Sequence, residues 1–233
     1  GSLKRLKTDY IDLYQLHWPE RSTNFFSKLG YRHNKNEGSW TEFEDILATA
    51  QKFVDQGKIR YLGLSNETPY GLSKYLHLSS TYKFPRVVSV QNPYSLINRT
   101  YEVGMAEMSV REKVGLLAYS PLAFGMLTGK YLNGQMPEGS RLKLYSKNFP
   151  RYQGTRSQLA VEEYYKIAQK YEMSLTQMSL AFVNMQPFVD SNIIGATNMK
   201  QLEENINSIH IDLSDEIVKE INAIHENNPS PAP

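Results

Sequence analysis

The sequence predicts an α/β protein built as a (β/α) barrel, and three features of the chain lead to that prediction. Five stretches are apolar enough to be strands buried on both faces, as the strands of parallel sheets are. Amphipathic segments with helical spacing separate these stretches, and such alternation gives a parallel sheet with right-handed crossovers. Each stretch also ends in polar or small residues, and a barrel assembles its site at the C-terminal ends of its strands.

The predicted strands carry the candidate site at their C-terminal ends. We predict strands over residues 9–17, 59–64, 87–91, 115–119 and 192–195. Their polar or small ends are His17, Ser65-Asn66, Gln91-Asn92, Tyr119-Ser120 and Gly195-Ala196-Thr197. A complete barrel has eight βα units. We therefore expect residues 1–233 to form a single, partial barrel domain that holds about the last five strands.

The helices follow from capping patterns and apolar spacing. Thr41, with Glu44 three residues later, forms a capping-box pattern that predicts a helix start, and Gly57 predicts where that helix stops. Ser214 precedes a terminal amphipathic helix. The remaining helices are expected over residues 2–7 (the end of a helix), 68–80, 100–111, 158–171, 175–185 and 198–208.

Two long loops and a tail complete the chain. The loops cover residues 18–39 and about 120–157, and loops of this length inside a compact domain are usually functional. Residues 227–233 form a Pro-rich tail that we expect to be loose or to lie against the surface.

Composition excludes several classes of function. A formal net charge of +2 is too small to indicate binding to nucleic acid or to an anionic membrane. The absence of cysteine excludes a disulfide framework and a thiol nucleophile, and permits a reducing compartment. No carboxylate and histidine grouping has metal-ligand spacing, so we predict no metal. No apolar run approaches the ~18–20 residues that span a bilayer, and we expect a cytoplasmic protein with a small-molecule substrate.

The glycine patterns exclude the common nucleotide-binding motifs. The segment from Gly125 to Lys130 superficially resembles a phosphate-binding P-loop, but it is one residue short and Tyr131 stands where Ser or Thr is needed. No G-x-G-x-x-G pattern is present, which argues against a classical dinucleotide-binding fold.

Several longer segments resemble the aldo-keto reductase family. They are SLKRLKTDYIDLYQLHWPER, GKIRYLGLSNET, VQNPYSLINR, LLAYSPLAFGMLTGKYL and IIGATNMKQLEENI, and the loop HWPERSTNFFSKLGY is similar to the Tas-like branch of that family. The resemblance covers essentially the whole chain. It implies a (β/α)8 TIM barrel that binds NADP(H) without a Rossmann domain and reduces aldehyde or ketone carbonyls to alcohols.

The resemblance also implies a gap in the catalytic residues. The family uses an Asp, a Tyr acid, a Lys and a His, and only the His has a counterpart here, His17 in the LHWP context. The other three belong to strands that would precede residue 1. We therefore expect the 233-residue chain alone to be inactive as a reductase.

The cofactor contacts implied by the resemblance fall into three groups. Ser65, Asn66 and Gln91 would bind the nicotinamide carboxamide, and Tyr119 would stack on its ring. The pyrophosphate would lie along Ser120, Pro121, Leu122, Ala123, Gly125 and Lys130, with Arg141 as a second cation. The adenosine end would bind Gly195, Ala196, Thr197, Gln201, Glu204 and Asn205, although some members carry Arg where this chain has Gln201, to hold the 2′-phosphate.

The sequence also allows other roles for these residues and other functions for the chain. Taken singly, Ser65, Asn66 and Gln91 are more often strand-end caps, and Tyr119 a packing residue. The chain could be a non-catalytic NADP-binding regulatory module, or a truncated fragment that self-associates or pairs with a missing N-terminal segment because its edge strands lack partners. A different barrel enzyme, such as a hydrolase, is disfavoured because no acidic pair stands at the strand ends.

Overall fold

The computed structural model describes residues 1–24, 26–145, 147 and 149–233 as an α/β fold. Five strands form a sheet in the order β1-β2-β3-β4-β5, so that strands consecutive in the sequence are neighbours. β1 pairs with β2, and β2 with β3, in parallel. The strands are β1 (Ile11–Leu16), β2 (Ile59–Ser65), β3 (Val87–Pro93), β4 (Gly115–Tyr119) and β5 (Val189–Asn192).

Helices separate the strands and follow the last one. The α-helices are α1 (Ser2–Leu6), α2 (Phe43–Asp55), α3 (Pro69–Tyr82), α4 (Met105–Glu112), α5 (Arg141–Tyr145), α6 (Thr155–Lys170), α7 (Leu175–Asn184), α8 (Met199–Asn207) and α9 (Asp215–Asn227). Short 3-10 helices cover Thr100–Glu102, Ala123–Thr128, Leu132–Gly134, Pro150–Gln153 and Ser208–His210.

The chain divides into two compact units. The first unit comprises Gly1–Thr23, Tyr31–Asn92 and Gly104–Leu116. The second comprises Asn24–Gly30, Pro93–Val103 and Leu117–Pro233.

The first unit packs α2 and α3 beside the parallel strands. Leu47 of α2, Leu72 of α3 and Leu62 of β2 are buried, and each such leucine contributes about 1.5–3 kcal/mol. Leu16 of β1 lies opposite Leu64 of β2. The register between β2 and β3 shifts beside Gly63, where an added Cβ would come within 2.8 Å of the Ser89 hydroxyl oxygen. Gly63 is therefore required by the close approach of its neighbours.

The second unit has its core around α7. The rings of Tyr94 and Phe182 stack with their centroids 6.3 Å apart, and both side chains are fully buried. The Tyr164 hydroxyl donates to the Leu96 carbonyl at 3.0 Å, which satisfies a polar group in this apolar surrounding. The C-terminal tail is part of the same core, because Ala232 is buried and its N–H donates to the Ile97 carbonyl at 3.0 Å.

Most of the predicted elements are confirmed, including the helix that Ser214 caps by accepting a hydrogen bond from the Ile217 N–H. The eight-unit closed barrel stays a prediction. The predicted strand over residues 192–195 was wrong: β5 ends at Asn192. Pairing continues only as far as Ile193, whose N–H donates to the Ala118 carbonyl at 2.8 Å.

Two further predictions need correction. Thr41 does not cap α2: the capping position falls on Glu42, and the Thr41 N–H, which a capping box would pair with Glu44, donates to the Glu20 carboxylate at 2.8 Å. The predicted loop over about 120–157 contains short helices, although Ser146 and Asn148 lie outside the described residues. The loop over 18–39 has no helix or strand among its described residues, which exclude Phe25.

Candidate functional site

In the first unit, the ends of three strands converge on Asn66. Its side-chain N–H groups donate to the His17 carbonyl at 3.0 Å and to the Ser65 hydroxyl at 3.2 Å. Its backbone N–H donates to the Gln91 carbonyl at 3.0 Å, and the Ser65 hydroxyl donates to the same oxygen at 2.8 Å. Since parallel strands end at the same edge of a sheet, the four residues predicted from the sequence lie together.

Asn66 reaches all of these partners because of its backbone conformation. Its φ of 56° lies in the left-handed region, which asparagine tolerates better than most residues. The residue is buried, so its amide group needs the acceptors that the strand ends supply. The network therefore holds the chain immediately after β1 and β2 in one conformation.

His17 presents its ring at the surface of the first unit. The side chain is exposed, and its ring centroid lies 4.9 Å from that of Trp18. Its backbone is fixed by Asn66, while its imidazole stays accessible to a ligand. An imidazole nitrogen can donate to a carbonyl oxygen, which is the chemistry expected of this position.

A buried ion pair supports this cluster, and sequence reasoning missed it. Arg21 pairs with Glu67 and also donates to the Thr68 hydroxyl at 3.1 Å; 10% of its side chain and 3% of the Glu67 side chain are exposed. The guanidinium lies 5.2 Å from the centre of the Phe43 ring. Because Glu67 directly follows Asn66, the pair joins the loop after His17 to the end of β2.

The Glu67 backbone is held as firmly as its side chain. Its N–H donates to the Asn92 side-chain oxygen at 3.0 Å, and its carbonyl accepts from the Asn92 amide at 2.8 Å. Gly71 of α3 lies against the ion pair, since an added Cβ would clash with a Glu67 carboxylate oxygen. Arg21 and Glu67 are 46 residues apart, so nothing local in the sequence indicated their contact.

In the second unit, Tyr119 ends β4 with its side chain partly buried. Its carbonyl accepts from the Tyr94 N–H at 3.2 Å. Burial raises the pKa of the Tyr119 phenol above its ordinary value, and the charge of Arg151 and its hydrogen bond to the phenol oppose that rise. Tyr119 therefore stays neutral at ordinary pH and can offer its ring and hydroxyl to a ligand.

The segment after Tyr119 has an unusual backbone. Ser120, Ala123 and Phe124 have positive φ values of 56°, 47° and 61°. Gly125 has a φ of 95°, and a Cβ there would lie 2.9 Å from Lys130 Cε and 3.0 Å from its Nζ. The Lys130 ammonium therefore sits directly beside the backbone of a tight turn, where only glycine fits.

Two cations accompany this turn without carboxylate partners. Among the described residues, no carboxylate forms an ion pair with Lys130 or Arg141. Lys130 Nζ lies 5.3 Å from the centre of the Tyr131 ring, and the Arg141 guanidinium lies 4.2 Å from that of Phe124. A glycine turn with uncompensated positive charge fits an anionic group such as a pyrophosphate. Ser120, Pro121, Leu122 and Ala123 form the start of the same segment.

The third predicted group lies at the beginning of α8 and is largely satisfied by its own side chains. The Gln201 side-chain oxygen accepts from the Thr197 N–H at 2.9 Å and from its hydroxyl at 3.0 Å. The Asn198 side chain accepts from the Gln201 N–H at 3.0 Å, and Asn205 donates to the Gly195 carbonyl at 3.2 Å. Glu204 accepts from the Ser174 hydroxyl. The exposed Gly195, Ala196 and Thr197 are near these groups in sequence, but the helix terminus is already capped.

Residues 1–24, 26–145, 147 and 149–233 contain no group of three or more His, Cys, Asp or Glu side chains placed to hold a metal ion. Within the same residues, no helix combines the length and the apolar character that crossing a membrane requires.

Comparison with known proteins gives one consistent result. The sequence model of the aldo/keto reductase family matches residues 1–226. The chain is 52% identical over 238 residues to Protein tas of Escherichia coli, covering 100% of this chain and 66% of that protein. It is 39% identical to an aldo-keto reductase of Babesia bovis (97% of this chain, 84% of that one) and 29% identical to the L-glyceraldehyde 3-phosphate reductase of Escherichia coli (90% and 56%). The chain thus spans slightly less than two thirds of the tas protein.

Proposed function

Because this chain belongs to the aldo/keto reductase family, we propose that it serves the NADP(H)-dependent reduction of aldehyde and ketone carbonyls to alcohols. The proposal rests most directly on Lys130, an ammonium without a carboxylate partner among the described residues that lies beside the Gly125 turn. Such a group is expected to attract an anionic ligand. In this proposal the ligand is the pyrophosphate of the cofactor, and Arg141 adds a second positive charge.

The polar groups of the first unit suit the nicotinamide carboxamide. A carboxamide needs both donors and acceptors, and Ser65, Asn66 and Gln91 together offer hydroxyl and amide groups. Their backbones are fixed by the hydrogen bonds around Asn66, so little ordering is needed when a ligand binds. Tyr119 is assigned the stacking contact with the ring. When bound, the reduced cofactor supplies the hydride.

His17 is assigned the contact with the substrate carbonyl oxygen. Its exposed imidazole can donate a hydrogen bond to that oxygen and orient the carbonyl, while the Asn66 amide holds its backbone. The adenosine end is assigned to Gly195, Ala196, Thr197, Gln201, Glu204 and Asn205. Because Gln201 is uncharged, it can contact the 2′-phosphate of NADP by hydrogen bonds but not by an ion pair.

We also propose that the 233-residue chain alone has no normal reductase turnover. His17 is the one member of the family's four catalytic residues with a counterpart in the sequence given, and it cannot by itself protonate the developing alkoxide and hold the other groups in place. Turnover of a broad aldehyde panel by protein of verified mass would contradict this. Tight NADPH binding without turnover would favour a cofactor-binding module.

We also propose that the chain associates with a second copy of itself. In the described residues β1 pairs with β2 along one side, and an open strand edge favours pairing with another chain. Sedimentation velocity over a range of protein concentrations tests this. A single monomeric species at all concentrations would contradict it.

The experiment that tests cofactor binding is a titration with NADPH followed by its fluorescence. Lys130→Ala should weaken binding by about 10- to 100-fold, the loss expected for one charge-assisted hydrogen bond. Lys166→Ala is the matched control, because Lys166 is an exposed lysine of α6 that pairs with Glu163. Binding by the unmodified chain no tighter than millimolar would contradict the proposal, and equal affinities of the two variants would remove Lys130 from it.

A further inference from the structure

Asn92 lies near the end of β3, directly after Gln91, and its side-chain amide pairs with the backbone of Glu67. The side-chain oxygen accepts from the Glu67 N–H at 3.0 Å, and the side-chain nitrogen donates to the Glu67 carbonyl at 2.8 Å. Both residues are buried, which strengthens these bonds. The amide therefore pairs with Glu67 as the backbone of a neighbouring strand would, at a point where β2 has already ended.

The bond from the Glu67 N–H also fixes Asn66. The peptide unit between the two residues is planar, and it contains the Asn66 carbonyl as well as the Glu67 N–H. Holding that N–H therefore holds the peptide plane on the C-terminal side of Asn66. On the N-terminal side, the Asn66 N–H donates to the Gln91 carbonyl at 3.0 Å. Gln91 and Asn92, consecutive residues of one strand, thus hold Asn66 from both sides.

Asn66 depends on this support because of its backbone conformation. Its φ of 56° is left-handed, and a non-glycine residue keeps such a conformation where the surrounding structure determines it. In this conformation its side chain reaches the His17 carbonyl at 3.0 Å and the Ser65 hydroxyl at 3.2 Å. Without the Asn92 amide, the peptide between Asn66 and Glu67 would lose two buried hydrogen bonds and could rotate. The orientation of the Asn66 side chain would then change.

A second anchor on Glu67 limits the effect of losing Asn92. The Glu67 carboxylate pairs with Arg21 and accepts from the Thr68 N–H at 2.7 Å, immediately before α3. This anchor acts on the Glu67 side chain, whereas Asn92 acts on its backbone. Because the ion pair remains in an Asn92 variant, we expect Asn66 to change its orientation while the fold is kept.

We infer that Asn92 is a positioning residue for the cofactor, which holds Asn66 so that the carboxamide of the nicotinamide meets its partners in a fixed orientation. The inference rests on the proposed function, in which Ser65, Asn66 and Gln91 bind that carboxamide. Asn92 makes no contact with the cofactor in this scheme. It raises affinity by reducing the ordering that is needed when the ligand binds.

The test compares two ligands by calorimetry: NADPH, and 2′-phospho-ADP-ribose, which lacks the nicotinamide. The unmodified chain should bind NADPH about tenfold or more tightly than 2′-phospho-ADP-ribose, because only NADPH can use the carboxamide contacts. Asn92→Ala should weaken NADPH binding by about 3- to 10-fold, the effect of one or two misaligned hydrogen bonds. It should leave the affinity for 2′-phospho-ADP-ribose unchanged.

A second variant and a control accompany this comparison. Asn92→Ser keeps one polar atom but is too short to bridge both backbone groups of Glu67, so it should reduce the preference for NADPH, and it serves if the alanine variant does not fold. Asn98→Ala is the control, because Asn98 is also buried and its side-chain oxygen accepts from the Thr100 hydroxyl at 2.7 Å. The control should keep the full preference for NADPH.

A further measurement needs no ligand. In nitrogen-15 NMR spectra, the side-chain amide signals of Asn66, assigned by their loss in Asn66→Asp, report its hydrogen bonds to the His17 carbonyl and the Ser65 hydroxyl. Asn92→Ala should shift these signals and speed their hydrogen exchange. Asn98→Ala should leave them unchanged.

The outcomes separate this inference from the proposed function. If Asn92→Ala weakens both ligands equally, or neither of them, Asn92 does not position the cofactor contacts and the inference is wrong, while the cofactor assignment stands. If the unmodified chain binds both ligands equally, the carboxamide contacts and the inference are both contradicted. If it binds neither ligand, the proposed reductase function is contradicted; shifted Asn66 signals would then support the positioning of Asn66 by Asn92, and unchanged signals would overturn it.

Discussion

Two cations of the second unit, Arg99 and Lys130, have different partners. Arg99 is buried, and its Nε and Nη2 donate to the two carboxylate oxygens of Glu102 at 2.6 and 2.8 Å. Its Nη1 donates to the Asn222 side chain at 2.8 Å, so every side of the guanidinium has an acceptor. Lys130 forms no ion pair with a carboxylate of the described residues, and its Nζ lies 5.3 Å from the centre of the Tyr131 ring.

The difference shows how a structural cation can be told from one that is available to a ligand. A buried charge whose counter-ion is built into the fold is neutralised before any ligand arrives, and its loss affects stability. A charge that the fold orients but does not neutralise keeps its attraction for an outside anion. By this criterion Arg99 and Arg21 belong to the structure, whereas Lys130 is the cation that we propose for ligand binding.

The largest effect is expected from removing the counter-ion of Arg99. Glu102→Gln leaves a buried guanidinium without a negative charge, and it should lower the free energy of unfolding by about 3 kcal/mol. Urea denaturation monitored by circular dichroism measures the change. Glu107→Gln is the control, because its pair with Arg111 is exposed on both sides, and it should change stability by less than about 0.5 kcal/mol. A loss for Glu102→Gln as small as that of the control would show that the fold does not depend on the counter-ion of Arg99.

The second prediction extends the comparison to the Arg21–Glu67 pair of the first unit. Gly71→Ala places a Cβ against the Glu67 carboxylate, so we expect a loss of about 1–3 kcal/mol from overpacking. The sign of this change in the free energy of unfolding is informative, because replacing glycine by alanine inside a helix otherwise stabilises a protein by up to about 1 kcal/mol. Ser73→Ala, at an exposed position of α3, serves as the control and should be neutral or slightly stabilising. A gain in stability for Gly71→Ala would show that the ion pair tolerates displacement.

The smallest effect concerns His225, which lies near the charge of Arg99. Burial and, to a lesser extent, Arg99 lower the pKa of His225 below its ordinary value, while Glu102 and Glu226 oppose this. The unfolded chain then binds a proton more readily than the folded chain, so stability falls as the pH drops through about 6.5 towards the lowered pKa. His225→Gln should flatten that part of the pH profile of stability. An unchanged profile for His225→Gln would contradict the assignment.

The sequence predicts the elements of this fold well wherever the signal is local. The first four strands are rich in apolar and β-branched residues, and Ser214 precedes a clear amphipathic pattern, so their positions agree with the structure. The last strand was misplaced because the apolar residues after Asn192 suggested a strand, whereas the pairing lies over Val189–Asn192. The capping box at Thr41 was wrong, because Glu20, 21 residues away, takes the N–H that Glu44 would accept in a capping box.

The candidate site was predictable to a similar extent. His17, Ser65, Asn66 and Gln91 were expected together because parallel strands end at one edge, and the structure brings them into one hydrogen-bonded network. The Arg21–Glu67 pair and the contact of Arg151 with Tyr119 were missed. Each joins residues separated by at least 32 positions, and no spacing rule in a single sequence indicates such a meeting.

The Gln201 side chain that covers the Thr197 N–H would act as an internal competitor for a ligand bound at the start of α8, where we propose the adenosine end. A ligand oxygen that takes this N–H must first displace the glutamine, so its apparent affinity is the intrinsic affinity multiplied by the fraction of molecules in which the glutamine is released. The association rate would then reach a ceiling at high ligand concentration, set by how often the glutamine moves away. The opening rate of one side chain would thus set how quickly that position fills, while the released fraction and the strength of the contact would set how fully it fills.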